Sequence, residues 1–362
     1  MSEVAASAPG KAVLFGEYAV LSGAPAVVLA VDRRARVQLR SSGRSVSRVA
    51  VPQLGLDPIE FRIEPDGRVC WQGAHANAGV FARCRSIIEW SAARRSAAGA
   101  DVDGAGLDLL IDTSELYETG PDGLTKLGLG SSAAMTVALA AAMEAPQALP
   151  DRPSAPGRLH RVLLAPYRAG QAGQGSGIDL AAALFGGVQA YQLCADGPGV
   201  RSLSLPDELE LAFFWTGTAA STSDFLQRFR RWQAAQPRQA EAALAHLSEL
   251  ARAGLTAVER HDFEGIMTCI NSYRHGMGRI GDLMGAPVIT KALAEIAAVA
   301  EQHGLAAKPC GAGGGDLAVV AAAEPDRLGQ VQERLQLLGY RLLRLAVARD
   351  GLLVRHRPAT PS

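Results

Sequence analysis

The run Lys126-Leu127-Gly128-Leu129-Gly130-Ser131-Ser132-Ala133-Ala134 joins a tight glycine loop to the start of an alanine-rich helix. Glycine lets backbone amides approach an anion closely, and the helix start adds unsatisfied N–H donors at the positive end of its dipole. That combination is a phosphate cradle. The string is neither Gly-x-x-x-x-Gly-Lys-Ser/Thr nor Gly-x-Gly-x-x-Gly, because its lysine precedes the glycines. Two further glycine-rich segments, Ala8-Pro9-Gly10-Lys11 and Lys308-Pro309-Cys310-Gly311-Ala312-Gly313-Gly314-Gly315-Asp316, flank it at long range. Segments so placed point to one nucleotide site assembled from across the chain. Ser131 and Ser132 can offer hydroxyls to phosphate or metal, or can cap the helix that follows them.

Strand-like runs over residues 26–31, 35–39 and 61–63 are broken by Gly23, Ser41-Ser42-Gly43 and Pro65-Asp66-Gly67. Residues 76–98 are expected to form a helix with an arginine-rich exposed side, 107–111 a strand, and 131–143 a buried helix behind the glycine loop. Prolines between 146 and 156 mark a connection. Strands are expected over 188–191 and 209–215, then helices over 224–235, 239–253, 262–280 and 290–302, a strand over 316–322 and a helix over 325–338. A domain boundary is placed near 205.

With 362 residues and 48% hydrophobic content, the chain can bury a large core, and such a length divides into about two domains. The formal net charge of zero provides no global field for nucleic acid or a membrane surface. Neither is expected as a partner, and anion binding falls to local groups such as Lys11 and Lys126. The longest central apolar stretch is too short to span a bilayer. Cys70, Cys84, Cys194, Cys269 and Cys310 are odd in number and lack a Cys-x-x-Cys spacing. They read as reduced thiols, which together with the absence of a secretory pattern gives a cytoplasmic expectation. Cys310, inside the last glycine loop, is either an oxidation-sensitive thiol or a plain small residue. The histidines show no zinc-like spacing.

Pro9-Gly10-Lys11-Ala12-Val13-Leu14-Phe15-Gly16-Glu17-Tyr18, Gly128-Leu129-Gly130-Ser131-Ser132-Ala133-Ala134 and Gly311-Ala312-Gly313-Gly314-Gly315 resemble the three ordered motifs of the GHMP kinases. That superfamily comprises the galactokinase, homoserine, mevalonate and phosphomevalonate kinases, and the resemblance frames nearly the whole chain. Lys126, Gly175-Ser176-Gly177-Ile178-Asp179, Trp215-Thr216-Gly217-Thr218-Ala219-Ala220-Ser221-Thr222-Ser223 and Asp316 resemble the phosphomevalonate branch. Tyr18 stands where the mevalonate branch commonly has histidine, and Cys310 where a small hydroxyl residue is more usual.

The resemblance implies an α+β fold of two domains: residues 1–205 as an ATP-binding domain like ribosomal protein S5 domain 2, and 206–362 as a ferredoxin-like domain. It implies ATP-dependent phosphorylation of 5-phosphomevalonate to 5-diphosphomevalonate with Mg²⁺, in a monomer or homodimer. Mevalonate as acceptor and a catalytically silent metabolite-binding regulator are the alternatives. Asp179 matches the aspartate that faces the acceptor oxygen in related kinases and pairs with the lysine of the first motif, here Lys11. A carboxylate stabilising a helix start is its structural alternative. Lys126, Gly128, Leu129, Gly130, Ser131, Ser132 and Ala133 are expected to hold nucleotide phosphate. Lys11, Lys126, Ser176, Ser221, Thr222, Ser223, Gly313 and Gly314 are assigned to substrate, and Ser132 and Glu17 to the metal. Glu17 equally suits orienting Lys11 or a strand-edge salt bridge, and Ser221, Thr222 and Ser223 suit the cap of a helix beginning near Asp224.

Overall fold

A computed structural model of the chain describes residues 3–73, 79–99, 106–120, 123–145, 156–170, 175–194 and 197–357. Its first part holds β1 (Glu3–Phe15), β2 (Ala26–Ser41), β3 (Ser47–Ala50), β4 (Ile59–Ile63), β5 (Val69–Gln72), α1 (Gly79–Ala97), β6 (Leu107–Asp112), β7 (Tyr117–Gly120) and β8 (Gly123–Lys126). Next come α2 (Ser131–Glu144), α3 (Pro156–Ala169), α4 (Ile178–Phe185), β9 (Val188–Cys194), β10 (Gly197–Leu203) and β11 (Glu210–Trp215). The remainder is α5 (Thr222–Ala235), α6 (Pro237–Glu259), α7 (Phe263–Leu283), α8 (Lys291–Gln302), β12 (Ala306–Pro309), β13 (Leu317–Ala322), α9 (Pro325–Leu337), β14 (Arg341–Leu343) and β15 (Leu353–Arg357). The expected proline-rich connection lies mostly outside the described residues, as does the start of the helix expected from residue 76.

The first sheet runs β10-β9-β2-β6-β3-β4-β5, with β1 along the other edge of β2 and β15 beyond β1. β2 is one 16-residue strand rather than two. Polar Asp32, Arg33 and Arg34 interrupt its apolar pattern, but the β1–β2 register shifts between Pro9 and Gly10 and carries the strand past them. Such an irregularity bends a strand and re-aims side chains, and here it falls beside Lys11. The second sheet, β12-β13-β11-β14, is antiparallel. Alternation along its strands separates two faces: Phe214, Ala318 and Val320 pack with Leu293 and Ile296 of α8 and Val331 of α9, whereas Phe213, Leu317 and Val319 join the large core.

That large core holds residues of both sheets and of α1, α2, α6 and α7, so it continues beneath the site. α2 is apolar on every side between Ala133 and Met143 because it is enclosed on every side. The chain beyond β14 turns back to the first sheet: Ala348 N–H donates to Ala30 O at 2.9 Å, and β15 pairs antiparallel with β1. A division at residue 205 therefore separates the two sheets but places β15 apart from the sheet it joins. No described helix is long and apolar enough to cross a membrane.

Lys308, on β12, is 1% exposed and extends its ammonium under the end of β1. Its Nζ lies 2.6 Å from Glu17 Oε1 and donates to Pro309 O at 2.5 Å and Val13 O at 3.3 Å. Removing one partner of such a pair strands a buried charge, which costs about 3–5 kcal/mol, whereas removing both charges costs far less. Lys308→Met should therefore lower the urea unfolding free energy by roughly that amount. Adding Glu17→Gln should restore most of the loss. A double variant no more stable than the single one would show that the two charges are not coupled.

Candidate functional site

The site begins where β1 crosses the glycine loop. Lys11 N–H donates to Leu129 O at 2.8 Å. A Cβ on Gly10 would stand 2.7 Å from that oxygen and 2.9 Å from Leu116 Cδ2, so only glycine permits this approach. Gly128 and Gly130 adopt φ of 75° and 73°, the left-handed region open to glycine. A Cβ on Gly130 would lie 2.9 Å from Lys11 Cγ and 3.7 Å from Asp179 Oδ2. The first-motif lysine and the central aspartate thus both stand close to Gly130.

Two helices start at this place, and neither is capped by a side chain. Gly130 is the cap residue of α2 and Gly177, at φ 87°, that of α4. Ser131 and Ser132 occupy the first positions inside α2, so the cap, one of the two readings of this pair, is Gly130 instead. Asp179 sits in the first turn of α4 and also lines the cavity there, a position compatible with either of its readings. Ser176 Oγ accepts from Ile178 N–H at 3.3 Å, and its carbonyl accepts from Tyr191 Oη at 2.5 Å, which fixes the turn entering α4.

Two adjoining cavities share Lys11, Tyr167, Asp179 and Leu226. The larger is lined by Arg83, Lys126, residues 128–132, Ala220, Ser221 and Asp316, among others. The smaller is lined by Gly16, Glu17, Tyr18, Ser176, Gly177, Gly311 and Ala312, among others. Lys126 and Ser221, expected on the substrate, line only the cavity of the glycine loop. Ser221 also caps α5, accepting from Asp224 N–H at 3.3 Å, and the side chains of Thr222 and Ser223 lie outside the described residues. Ala133 is buried in α2 and lines neither cavity. Gly313 and Gly314 also line neither: Cβ atoms there would run into Val288 and the Phe225 ring, so their role is close packing, and Gly311 and Ala312 are the residues of that loop that reach the smaller cavity.

Asp316 locks the last motif to the central one. It holds φ 54°, its Oδ1 accepts from Ala220 N–H at 2.8 Å, and its Cβ would lie 2.5 Å from a Cβ on Gly128. Burial raises its pKa, while the Ala220 amide, Lys11 and Lys126 pull it back. Lys126 is lowered by desolvation and by the neighbouring Arg83 guanidinium, against the attraction of Asp316. The larger cavity therefore combines the cations Lys11, Lys126 and Arg83 with the carboxylates of Asp179 and Asp316.

Glu17 forms its ion pair with Lys308, and burial raises its pKa against the pull of that lysine and of Lys11. One carboxylate oxygen is taken up by Lys308, while among the described residues Oε2 is buried without a partner beside the smaller cavity. Tyr18, at φ 61°, donates its hydroxyl to Ala312 O and so seals the first motif to the last. Cys310 is buried, its thiol pushed up to about 12 chiefly by burial, with Lys308 opposing. Burial disfavours its reactive thiolate form, which suits a packing residue. Arg83, Tyr167 and Lys308 were not anticipated. Arg83 belongs to the arginine-rich side of α1 that reads as solvated, and Lys308, the first residue of the last glycine segment, carries no sign of its burial.

A family model described as "GHMP kinases C terminal" matches residues 255–341. The phosphomevalonate kinase of Streptomyces sp. (strain CL190) is 33% identical, the alignment covering 95% of this chain and 97% of that one. The mevalonate kinase of Thermococcus gammatolerans is 28% identical over 97% and 98% of the two chains. Among solved structures, Streptococcus pneumoniae phosphomevalonate kinase in complex with phosphomevalonate and AMPPNP superposes with a TM-score of 0.75 at 18% identity, covering 95% of this chain and 99% of that one. Identity of one residue in three, sustained over nearly all of both chains in the first of these relatives, is kinship rather than a shared fold alone: this chain belongs to the GHMP kinase family.

Proposed function

We propose that the protein transfers the γ-phosphoryl group of ATP to 5-phosphomevalonate, forming ADP and 5-diphosphomevalonate in the mevalonate route to isoprenoids. The observation that carries this reading is the shared boundary of the two cavities at Lys11 and Asp179. The larger cavity has the features of a phosphate-donor site: residues 128–132, the uncapped start of α2, and cations. The smaller has the features of an acceptor site, and a group held there would face the donor across the boundary. Phosphoryl transfer is mostly positioning and charge stabilisation, and these are what the boundary residues offer.

In this reading Lys11 neutralises charge shared between donor and acceptor, and Asp179 orients the attacking acceptor oxygen by positioning the Lys11 ammonium that meets it. The acceptor oxygen bonds to the γ-phosphorus as the bond to the β–γ bridging oxygen breaks, and that oxygen leaves with ADP. A phosphate monoester has a second pKa of about 6, so the acceptor is mostly unprotonated at neutral pH and demands orientation more than proton removal. Mg²⁺ fits as an ion delivered with the nucleotide. No group of three or more His, Cys, Asp or Glu able to hold a metal occurs among the described residues, and Mg²⁺ typically uses one or two protein ligands plus phosphates and water. The Ser132 hydroxyl, not needed to cap α2, would hold it. When bound, the ion supplies charge neutralisation across phosphate oxygens.

Two features favour an already phosphorylated acceptor over mevalonate. The phosphomevalonate kinase relative is the more similar of the two compared above. The smaller cavity also sets Lys11 beside the uncapped start of α4, both suited to an anion. A silent metabolite-binding protein would need neither Lys11 nor Asp179 at the boundary.

Coupled measurement of ADP release from Mg-ATP should give a higher kcat/KM with 5-phosphomevalonate than with mevalonate. Preference for mevalonate would overturn the acceptor assignment, and absence of turnover with either would overturn the kinase reading. Asp179→Asn nearly preserves shape while deleting charge, and should lower kcat by about 100-fold while leaving ATP affinity within a few-fold. A folded variant with near-normal kcat would remove Asp179 from the reaction.

A further inference from the structure

Arg83 lies early in α1 and lines the glycine-loop cavity with Lys126, Ser131 and Ser132. It does not line the smaller cavity. Among the described residues its Nε is buried without a hydrogen-bond partner, which is unfavourable for a guanidinium N–H. Arg83 also stands close enough to Lys126 for its charge to disfavour protonation of the lysine. Two cations held together on one wall, beside the start of α2, are arranged for an anion placed between them.

Which anion follows from position. The transferred phosphoryl group must reach the boundary at Lys11 and Asp179, where the cavities meet. Arg83 is confined to the donor side. We propose that Arg83 clamps the phosphates of the nucleotide that are not transferred, its planar fork engaging two of their oxygens while Lys126 neutralises them from the same wall. The assignment rests on the kinase reading given above and adds to it a residue that reads the diphosphate of the donor and of the ADP product.

The test is calorimetric titration of the full chain with ADP and with adenosine, in Mg²⁺ buffer, for the unsubstituted protein, Arg83→Met and Arg83→Lys. Arg83→Met should weaken ADP binding by about 10- to 100-fold, the range for losing a hydrogen bond to a charged group. Adenosine binding should stay unchanged, and Arg83→Lys should recover part of the ADP affinity. In steady state, the KM for ATP should rise in parallel while the KM for the acceptor holds. Equal losses for ADP and adenosine would mean that the substitution only disturbs α1, and would overturn the proposal. So would unchanged ADP affinity in Arg83→Met, or a rise confined to the acceptor KM. Unsubstituted protein that bound no ADP would instead overturn the kinase reading, and this assignment with it.

Discussion

The buried ion pair of Lys308 and Glu17 is the contact on which the arrangement of the site depends. Charges removed from water are stable only when geometry and hydrogen bonds compensate them, and the acceptors around Lys308 come from separate places: Val13 on β1, Glu17 in the turn after it, and Pro309 at the end of β12. Tyr273 of α7 adds its hydroxyl to Glu17 O at 2.8 Å, and its ring lies 5.6 Å from Lys308 Nζ. The pair is satisfied only when the first motif, the last motif and α7 are all in place. Among the described residues Glu17 Oε2 is buried and unpaired at the floor of the smaller cavity, so that cavity is built on a carboxylate that only correct assembly makes tolerable.

Above that floor, side chains are few and backbone is plentiful. Left-handed glycines start α2 and α4 without side-chain caps, leaving amide donors for an anion. Gly10 and Gly128 clear the space in which β1 and Asp316 press against the loop. The same logic explains why a chain with zero net charge can hold a polyanion: the field is local, made by helix ends and by Lys11, Arg83 and Lys126, and not by the surface as a whole.

Much of this was legible in the sequence. The three glycine segments pointed to the GHMP kinase family, and Ser131 to Met143 announced a buried helix. The helices after residue 220 follow apolar periodicity with ordinary caps, Ser221, Asp262 and Thr290, and were placed within a few residues except at the C-terminus of α6, which continues to Glu259. What escaped depends on contacts distant in sequence. β1, rich in small residues and containing Pro9 and Gly10, has little local strand signal and is held by β2 and β15. The return of β15 to the first sheet has no local mark at all. Arg83 and Lys308 read as ordinary surface cations, because burial and an unmet donor are properties of the assembled cleft. Gly313 and Gly314 read as ligand-facing because glycine serves anion approach and close packing alike, and only the positions of Val288 and Phe225 separate the two.

The central claim is that donor and acceptor occupy adjoining cavities and meet at Lys11 and Asp179. A crystal structure of the protein with a non-hydrolysable ATP analogue and 5-phosphomevalonate tests it most directly. The account predicts the polyphosphate against the amides of Ser131 and Ser132, the phosphate of the acceptor in the cavity lined by Tyr18 and Ser176, and the terminal phosphorus between them beside Lys11 and Asp179. Both ligands in one cavity, or an acceptor oxygen remote from Asp179 and turned away from the terminal phosphorus, would contradict it.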